Sequence, residues 1–300
     1  MTLSEILLYK LAKAWPSPMT KKDAKLAEHG ASDITGDSAA IAYTYHQYEN
    51  SLKYGILVSI IDKDVLEVAC GHGGKCCFFA AAGAKSVIGI DLNENRFKHH
   101  VTIRQQLESH YGGGAKLPLS FKVMNAEKLE FEAESFDVVM APNCFEHFVN
   151  PDLIMKEAYR VLRPGGRLVV IPFSSIYSKH GPHLKYGIKL PWVNLFFSEK
   201  TSINVLQKLA QEDERLYEIY PGLKNSPKRY RDLREFGDLN DITYPLFKKM
   251  ARETGFNIEL FKIEQYIMGK ILKRLFFLKD SILLDIFSMN ATSVLRKPLK

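Results

Sequence analysis

No run in this 300-residue sequence reaches the roughly 18–20 uncharged apolar residues that a membrane-spanning helix needs. The opening stretch, Met1 to Pro16, carries Glu5 and Lys10 among its apolar residues and lacks a secretory cleavage pattern, so a cytoplasmic protein is expected. Cysteine is sparse. The four present, Cys70, Cys76, Cys77 and Cys144, fall in two short stretches, and adjacent Cys76 and Cys77 lack metal-ligand spacing. Free thiols in a reducing compartment are the expectation, with no metal site. Without secretion the Asn290-Ala291-Thr292 sequon carries no weight. There is no internal repeat and no low-complexity linker. A chain of this length then forms one large α/β domain, or one domain with a sizeable insertion.

What is there is an ordinary globular composition, 46% apolar and 25% charged, enough for a substantial core. The charge is uneven: from residue 151 onward there are 26 Lys+Arg against 16 Asp+Glu, whereas residues 1–150 hold 15 against 18. A basic second half suits an anionic substrate, a membrane surface or nucleic acid. Because the charges are scattered, a merely solvated surface accounts for them equally well.

Residues 2–14 read as a short amphipathic helix and 16–42 as polar and irregular. A helix from about Tyr45 to Ile60 leads into a strand over Asp64–Ala69. Further strands are predicted over Ser86–Ile90, Leu119–Met124, Phe136–Ala141 and Arg167–Pro172. Helices follow Gly71-His72-Gly73-Gly74 and cover about Asn95–Ser109 and Leu153–Val161, the last ended by Pro164-Gly165-Gly166. Short apolar strands separated by helices predict a mostly parallel sheet covered on both faces. Residues 174–240, rich in aromatic, proline and basic residues, interrupt this rhythm and read as an insertion over the sheet's carboxyl edge. The rhythm resumes with a helix over Tyr244–Thr254, Gly255 as its stop, a strand over Asn257–Ile263 and an antiparallel strand over Thr292–Arg296. The expected organisation is an N-terminal helix and lid segment (1–44), a cofactor-binding core (45–173), a substrate cap (174–240) and a C-terminal completion of the core (241–300).

In open α/β sheets, ligands sit beyond the carboxyl ends of the strands, where strand order reverses. The stretch Val65-Leu66-Glu67-Val68-Ala69-Cys70-Gly71-His72-Gly73-Gly74 has the make-up of such a strand–turn–helix unit, its glycines allowing the backbone to bend tightly against a ligand. Asp91 ends the next strand, twenty residues after Gly71, where a carboxylate can accept from both hydroxyls of a ribose. A nicotinamide enzyme would share these features, but Cys76 stands where the dinucleotide fingerprint has its third glycine. Structural roles compete: Gly71 and Gly73 as turn residues, Asp91 as a helix N-cap.

Five segments in order, Val65–Gly74, Ile88-Gly89-Ile90-Asp91, Asn125-Ala126-Glu127, Phe136-Asp137-Val138-Val139 with Glu146-His147, and Arg160-Val161-Leu162-Arg163-Pro164-Gly165-Gly166, resemble the class I S-adenosylmethionine (SAM)-dependent methyltransferases. The likeness is to the small-molecule branch, of the methyltransferase type 11 and ubiquinone/menaquinone-biosynthesis type, over about residues 45–172. It implies a Rossmann-like α/β fold with a seven-stranded, mostly parallel sheet, helices on both faces and a cap after the fifth strand. It also implies SAM as cofactor, with Glu67 near the methionine ammonium, Gly71 and Gly73 along methionine and ribose, and Asp91 on the ribose diol. Leu92 would lie against the adenine, Asn125 and Ala126 at its polar edge, and Asn143 beside the cofactor. Asn125 departs from the family's aspartate, although its amide oxygen still accepts a hydrogen bond. Ala69 replaces a usual glycine, and Glu127 reads as solvated.

Methyl transfer to a hydroxyl needs alignment and a base that works near neutral pH. His147, just after the fourth strand, is the first candidate, since some relatives use a histidine here as base; its alternative role is to fix the loop through a hydrogen bond. His180 and His183 open the cap, and His183 is the second candidate, an inert loop position being its alternative. Tyr43, Tyr45 and Tyr48 fall over the cofactor by family analogy or pack in the core. An aromatic cap suits an apolar or planar acceptor; Lys179, Lys185 and Lys189 nearby either meet an acidic group on it or serve no function. In the segment 265–289, Lys270, Lys273, Arg274, Ser281, Asp285 and Ser288 share one helical face, and Ile271, Leu272, Leu275, Phe276, Ile282, Leu283 and Ile286 the other. Docking on the protein or a dimer partner is the favoured reading of this amphipathic insertion, and peripheral contact with a membrane its rival.

These features favour a methyltransferase acting on a small molecule, with an oxygen acceptor before nitrogen or carbon. A nucleic-acid methyltransferase is the runner-up, disfavoured because neither a base-modifying Asn/Asp-Pro-Pro-aromatic motif nor an RNA-binding module is present. A non-catalytic SAM-binding module and a dehydrogenase complete the field.

Overall fold

A computed structural model of the chain describes residues 1–14, 59–97, 105, 108–109, 116–179, 181–220, 223, 239–265 and 282–299. Tyr43, Tyr45, Tyr48, His180, the helix predicted from Tyr45 and most of the insertion near 265–289 lie outside the described residues.

Seven strands form one sheet: β1 (Asp64–Val68), β2 (Ser86–Asp91), β3 (Leu119–Val123), β4 (Phe136–Ala141), β5 (Leu162–Phe173), β6 (Asn257–Gln265) and β7 (Ser288–Arg296). Their order is β3-β2-β1-β4-β5-β7-β6, with β7 antiparallel to both neighbours and the remaining pairings parallel. The predicted Rossmann-like α/β class is therefore found. From β1 the chain moves outward through β2 and β3, then returns to build β4 and β5 on the other side. The strand order thus reverses between β1 and β4, and a crevice opens beyond their carboxyl ends.

Apolar residues fall on both faces of these short strands, so both faces must be covered. One face packs Leu66, Val139 and Leu168 against helices α3 (Pro151–Val161) and α7 (Tyr244–Thr254), through Met155, Ala158, Phe247 and Ala251. The other packs Val65, Val87 and Val138 against α2 (Gly74–Ala81), through Cys76, Cys77 and Phe79. Helix α7 has the predicted ends. The Thr243 side chain accepts from the Leu246 amide, and Gly255 closes the helix at φ +99. By contrast, α3 stops at Val161 and Leu162 is already extended, so Pro164-Gly165-Gly166 lies inside the β5 run rather than ending the helix. Pro164 disfavours helix at Arg163. The Arg163 guanidinium also bridges Asp64 and Asp137, each at 2.9 Å, drawing the chain to the sheet edge.

A third apolar cluster stands apart from the sheet. It joins α1 (Leu3–Ala14) to the segment after β5, which holds α4 (Val193–Phe196), α5 (Glu199–Glu212) and α6 (Arg215–Ile219). Leu8 and Ala12 of α1 are buried there with Leu184, Ile203, Leu206 and Leu216. Lys13 and the Tyr9 hydroxyl both bond Glu212, and Asn204 donates to Glu5 at 2.7 Å.

The end of the C-terminal insertion corrects the face assignment made from sequence. In the short helix α8 (Ile282–Ile286), Asp285 is fully buried, as is Ser288 at the start of β7, while Ile282 and Leu283 are exposed. Polar neighbours account for the reversal: the Ser175 hydroxyl and Tyr244 amide donate to Asp285 Oδ2 at 2.7 and 2.9 Å, and the Trp192 indole donates to the Ile286 carbonyl at 2.6 Å. Among the described residues, no helix is long and apolar enough to cross a membrane.

Register also fixes the site's floor. Glu67, Gly89 and Phe121 stand in one cross-strand row. A Cβ on Gly89 would meet Cys76 Sγ at 2.7 Å, Phe121 at 2.8 Å and Cys70 Sγ at 2.9 Å. Gly89→Ala is expected to destabilise the protein by about 1–3 kcal/mol through overpacking, measured by urea unfolding; an unchanged midpoint would mean that the three side chains give way freely.

Candidate active site

Glu67, next to last in β1, is buried, and its Oε2 accepts from the Cys76 thiol at 2.9 Å. Burial pushes its carboxyl up to about 7; the Lys75 ammonium and the Cys76 hydrogen bond pull the other way, and Asp91 adds to the rise. The turn that follows holds Ala69, Gly71 and Gly73 in the left-handed region, at φ +51, +58 and +77. At Ala69 that conformation is strained for a residue with a Cβ, which explains why glycine is usual there. Gly73 has no alternative, since a Cβ would sit 2.3 Å from the Phe121 ring. Asp91, at the end of β2, ties this turn to the sheet: Oδ2 accepts from the Gly71 amide at 2.9 Å and Oδ1 from the Asn93 amide at 3.0 Å. Leu92 beside it is 69% exposed, a flat apolar surface at the crevice.

Beyond β3, Asn125 turns its side-chain oxygen onto the Glu127 amide at 2.9 Å, so one of its two lone pairs is already engaged. The Ala126 side chain is buried in the core. Glu127 is more than a solvated acid: its carboxylate accepts both the amide and the side chain of Asn150, each at 3.1 Å, and so holds the start of α3.

On the other side of the reversal, β4 runs out into Asn143, left-handed at φ +53, whose amide donates to Ile171 of β5 at 3.2 Å. A tight turn over Phe145–His147 follows. Phe145 is wedged among Phe148, Phe173 and Phe247, and Asn240 grips the turn by donating to the carbonyls of Phe145, Glu146 and Phe148 at 2.8–2.9 Å. His147 points outward and is exposed, while Glu146 points inward and is buried. The cap brings His183 to the same place. Its ring centre lies 5.2 Å from that of His147, and its Nε2 lies 4.0 Å from Glu146 Oε1. Both candidate histidines thus converge. Glu146 joins them, with burial pushing its carboxyl up to about 7 against the pull of its own amide and that of Ser174.

Cys144 links the two halves. Its thiol faces the Val68 carbonyl at 3.8 Å and lies within electrostatic reach of Glu146, Glu67 and Asp91. Burial pushes that thiol well up, as it does Cys76, so both are neutral at physiological pH. All four cysteines are free. Sequence reasoning passed over Glu146 because the histidine beside it drew the attention. The available signal was its place directly after Cys144-Phe145, an apolar pair that pulls the turn inward.

This donor set fits SAM. A buried carboxylate suits a cationic amino group, Asp91 suits a diol, and a left-handed glycine turn admits a ligand close to the backbone. A carboxyl raised by folding from 4.5 to about 7 contributes stability that is complete below pH 4.5 and is lost as pH rises through 7. Measured without cofactor, Glu67→Gln is expected to raise the melting temperature relative to the parent more at pH 8 than at pH 5. An equal effect at both pH values would show that Glu67 does not titrate as described.

The methyltransferase-domain family matches residues 66–170. The chain is 31% identical over 216 residues to the phthiotriol/phenolphthiotriol dimycocerosates methyltransferase of Mycobacterium leprae, covering 71% of this chain and 67% of that one. It is 30% identical over 191 residues to the tRNA U34 carboxymethyltransferase of Cellvibrio japonicus, covering 60% and 56%. Among solved structures, a SAM-dependent methyltransferase from Methanosarcina mazei aligns with a TM-score of 0.48 at 20% identity, over 85% of this chain and 97% of that one. Fold, matched domain and relatives agree: the chain belongs to the class I SAM-dependent methyltransferases, with SAM as its cofactor.

Proposed function

We propose that this enzyme methylates a hydroxyl oxygen of a small, apolar or lipid-like acceptor in the cytoplasm, the acceptor lying between the core and the cap of residues 174–240. The observation that carries the reading is the meeting of His147, His183 and buried Glu146 beyond β4. It lies at the same strand-order reversal as Glu67 and the glycine turn. The apolar cluster shared by α1 and the cap gives the acceptor side an apolar backing. The Mycobacterium leprae relative supports the choice of oxygen, since the acceptor in its name is a triol.

In this reading, residues 45–173 form the cofactor core, 1–44 an N-terminal lid segment and 241–300 the completion of the sheet. Glu67 receives the methionine ammonium, and Gly71 and Gly73 line methionine and ribose. Asp91 holds the ribose diol, Leu92 lies on the adenine, and Asn125, Ala126 and Asn143 complete the rim. When bound, SAM supplies an activated methyl group whose bond to sulfur breaks, its electron pair staying on sulfur, as the acceptor oxygen bonds to carbon. The protein's own part is to exclude water, align the hydroxyl and take its proton. His183, half-exposed and drawn from the cap, is the better placed base. His147, on the core side, lines the acceptor. Ile282 and Leu283 of α8, both exposed, would serve any peripheral membrane contact of the insertion near 265–289.

A second reading, methylation of a nucleic acid, is favoured by the basic second half and by the Cellvibrio japonicus relative named for tRNA. Activity on RNA that falls steeply with added salt would support it, while salt-insensitive turnover of a small hydroxyl compound would remove it.

His183→Ala is expected to lower turnover by about 10²–10⁴-fold with SAM affinity nearly unchanged, and His147→Ala to act more weakly; normal turnover in both removes the base assignment. Since the methionine ammonium selects ionised Glu67, SAM binding below pH 7 should release a proton. Calorimetry in buffers of different ionisation enthalpy measures this, and equal heats would exclude the role given to Glu67.

A further inference from the structure

We propose that Glu146 is the positioning residue for His183, forming with it a carboxylate–imidazole pair that is complete only where the cap seats on the core. The proposal rests on His183 being the base and adds the group that orients it. Glu146 is 7% exposed, its Oε2 is enclosed with no hydrogen-bond partner among the described residues, and Oε1 faces His183 Nε2 at 4.0 Å. A buried carboxylate oxygen without a partner is costly, and an imidazole N–H donor across the gap is the natural remedy.

Both backbones are pinned. Asn240 holds the carbonyls of Phe145, Glu146 and Phe148 on the core side. On the cap side His183 is left-handed at φ +58, its carbonyl accepts the Tyr220 hydroxyl at 2.8 Å, and the next residue, Leu184, is buried in the cap cluster. Side-chain rotation alone therefore has to close the remaining distance, about 1 Å to a charge-assisted hydrogen bond.

With the Nε2 proton directed at the carboxylate, the basic lone pair is on Nδ1. When the acceptor's O–H bond breaks, its proton goes to Nδ1, and the imidazolium that results is balanced by Glu146, which itself touches no substrate. Among the described residues, the other titratable groups facing the pair are His147, its ring tilted against that of His183, and the Cys144 thiol and Tyr244 phenol, each within electrostatic reach of Glu146. Burial pushes Cys144 and Tyr244 upward, so neither competes for the proton near pH 7.

The test is NMR of the full chain labelled with ¹⁵N-histidine, titrated from pH 5 to 9, with the His183 signal identified by its absence in His183→Ala. In the parent, His183 should carry its proton on Nε2 when neutral and titrate higher than in Glu146→Gln by on the order of one unit. Turnover of Glu146→Gln should fall by about 10–100-fold, mainly in kcat, with the acid limb of its pH profile moved with the histidine. Glu146→Asp, still anionic but one methylene shorter, should restore part of both, and it carries the test if the glutamine variant does not fold. A His183 titration and tautomer unmoved in a folded Glu146 variant would overturn the pairing and leave the base assignment standing. Full turnover in His183→Ala would instead remove the reading beneath it, whatever the titration shows.

Discussion

Where β1 and β4 end side by side, two carboxylates are held out of water, and much else in the molecule is arranged around that constraint. The chain leaves the two strands in opposite directions, so no crossover covers their carboxyl ends. Glu67 and Glu146 occupy those ends, and burial lifts both from 4.5 to about 7. Each rise corresponds to roughly 3 kcal/mol disfavouring the ionised form. That is a large share of a net domain stability of about 5–15 kcal/mol. The Cys76 thiol and Lys75 offset part of it for Glu67, and His183 stands opposite Glu146.

Packing then converts this electrostatic demand into geometry. The row Glu67, Gly89 and Phe121 leaves room for two neutral thiols, Cys70 and Cys76, where a larger residue at position 89 would put a side chain. Asp91 holds the glycine turn through the Gly71 amide, so the turn is set by a hydrogen bond from the neighbouring strand rather than by its own residues alone. Cap and core are joined by polar contacts where β5 ends. Buried Asp285 accepts from Ser175 and from the Tyr244 amide, and the Tyr244 hydroxyl meets Ser288 at 3.0 Å. The cap is therefore anchored at its root while its own apolar cluster, shared with α1, remains separate from the sheet.

The strands were legible because short apolar runs between turn residues have few other uses, and β4 and α7 match the sequence boundaries residue for residue. The strand and turn that hold Glu67, Gly71 and Gly73, and the strand end at Asp91, were legible for a related reason, since these residues are close in sequence to the strands that carry them. What sequence could not show depended on distant partners. Leu162 enters β5 directly because Arg163 is drawn to Asp64 and Asp137. Asp285 turns inward because Ser175, more than a hundred residues earlier, is there to receive it. Glu146 became visible as a buried acid only once Asn240 was seen to fold its turn against the core. Polarity alone places Asp285 and Glu146 on the surface, yet both are buried.

That division between local and distant determinants bears on how acceptor choice arises. The family match covers 66–170 and stops short of the segment 174–240. Cofactor contacts can be built from a strand, its turn and the end of the next strand, so they persist wherever that unit persists. On the proposed acceptor side, His183 is left-handed, its carbonyl accepts the Tyr220 hydroxyl, and the segment after β5 buries apolar side chains against α1. In that reading, substitutions there can change which molecule is received without loosening Glu67 or Asp91, since the segment after β5 packs with α1 in an apolar cluster apart from the strands that carry those two residues. In the proposed reading the sheet carries the reaction class and the segment after β5 the acceptor, with Glu146 the core residue that faces across to it.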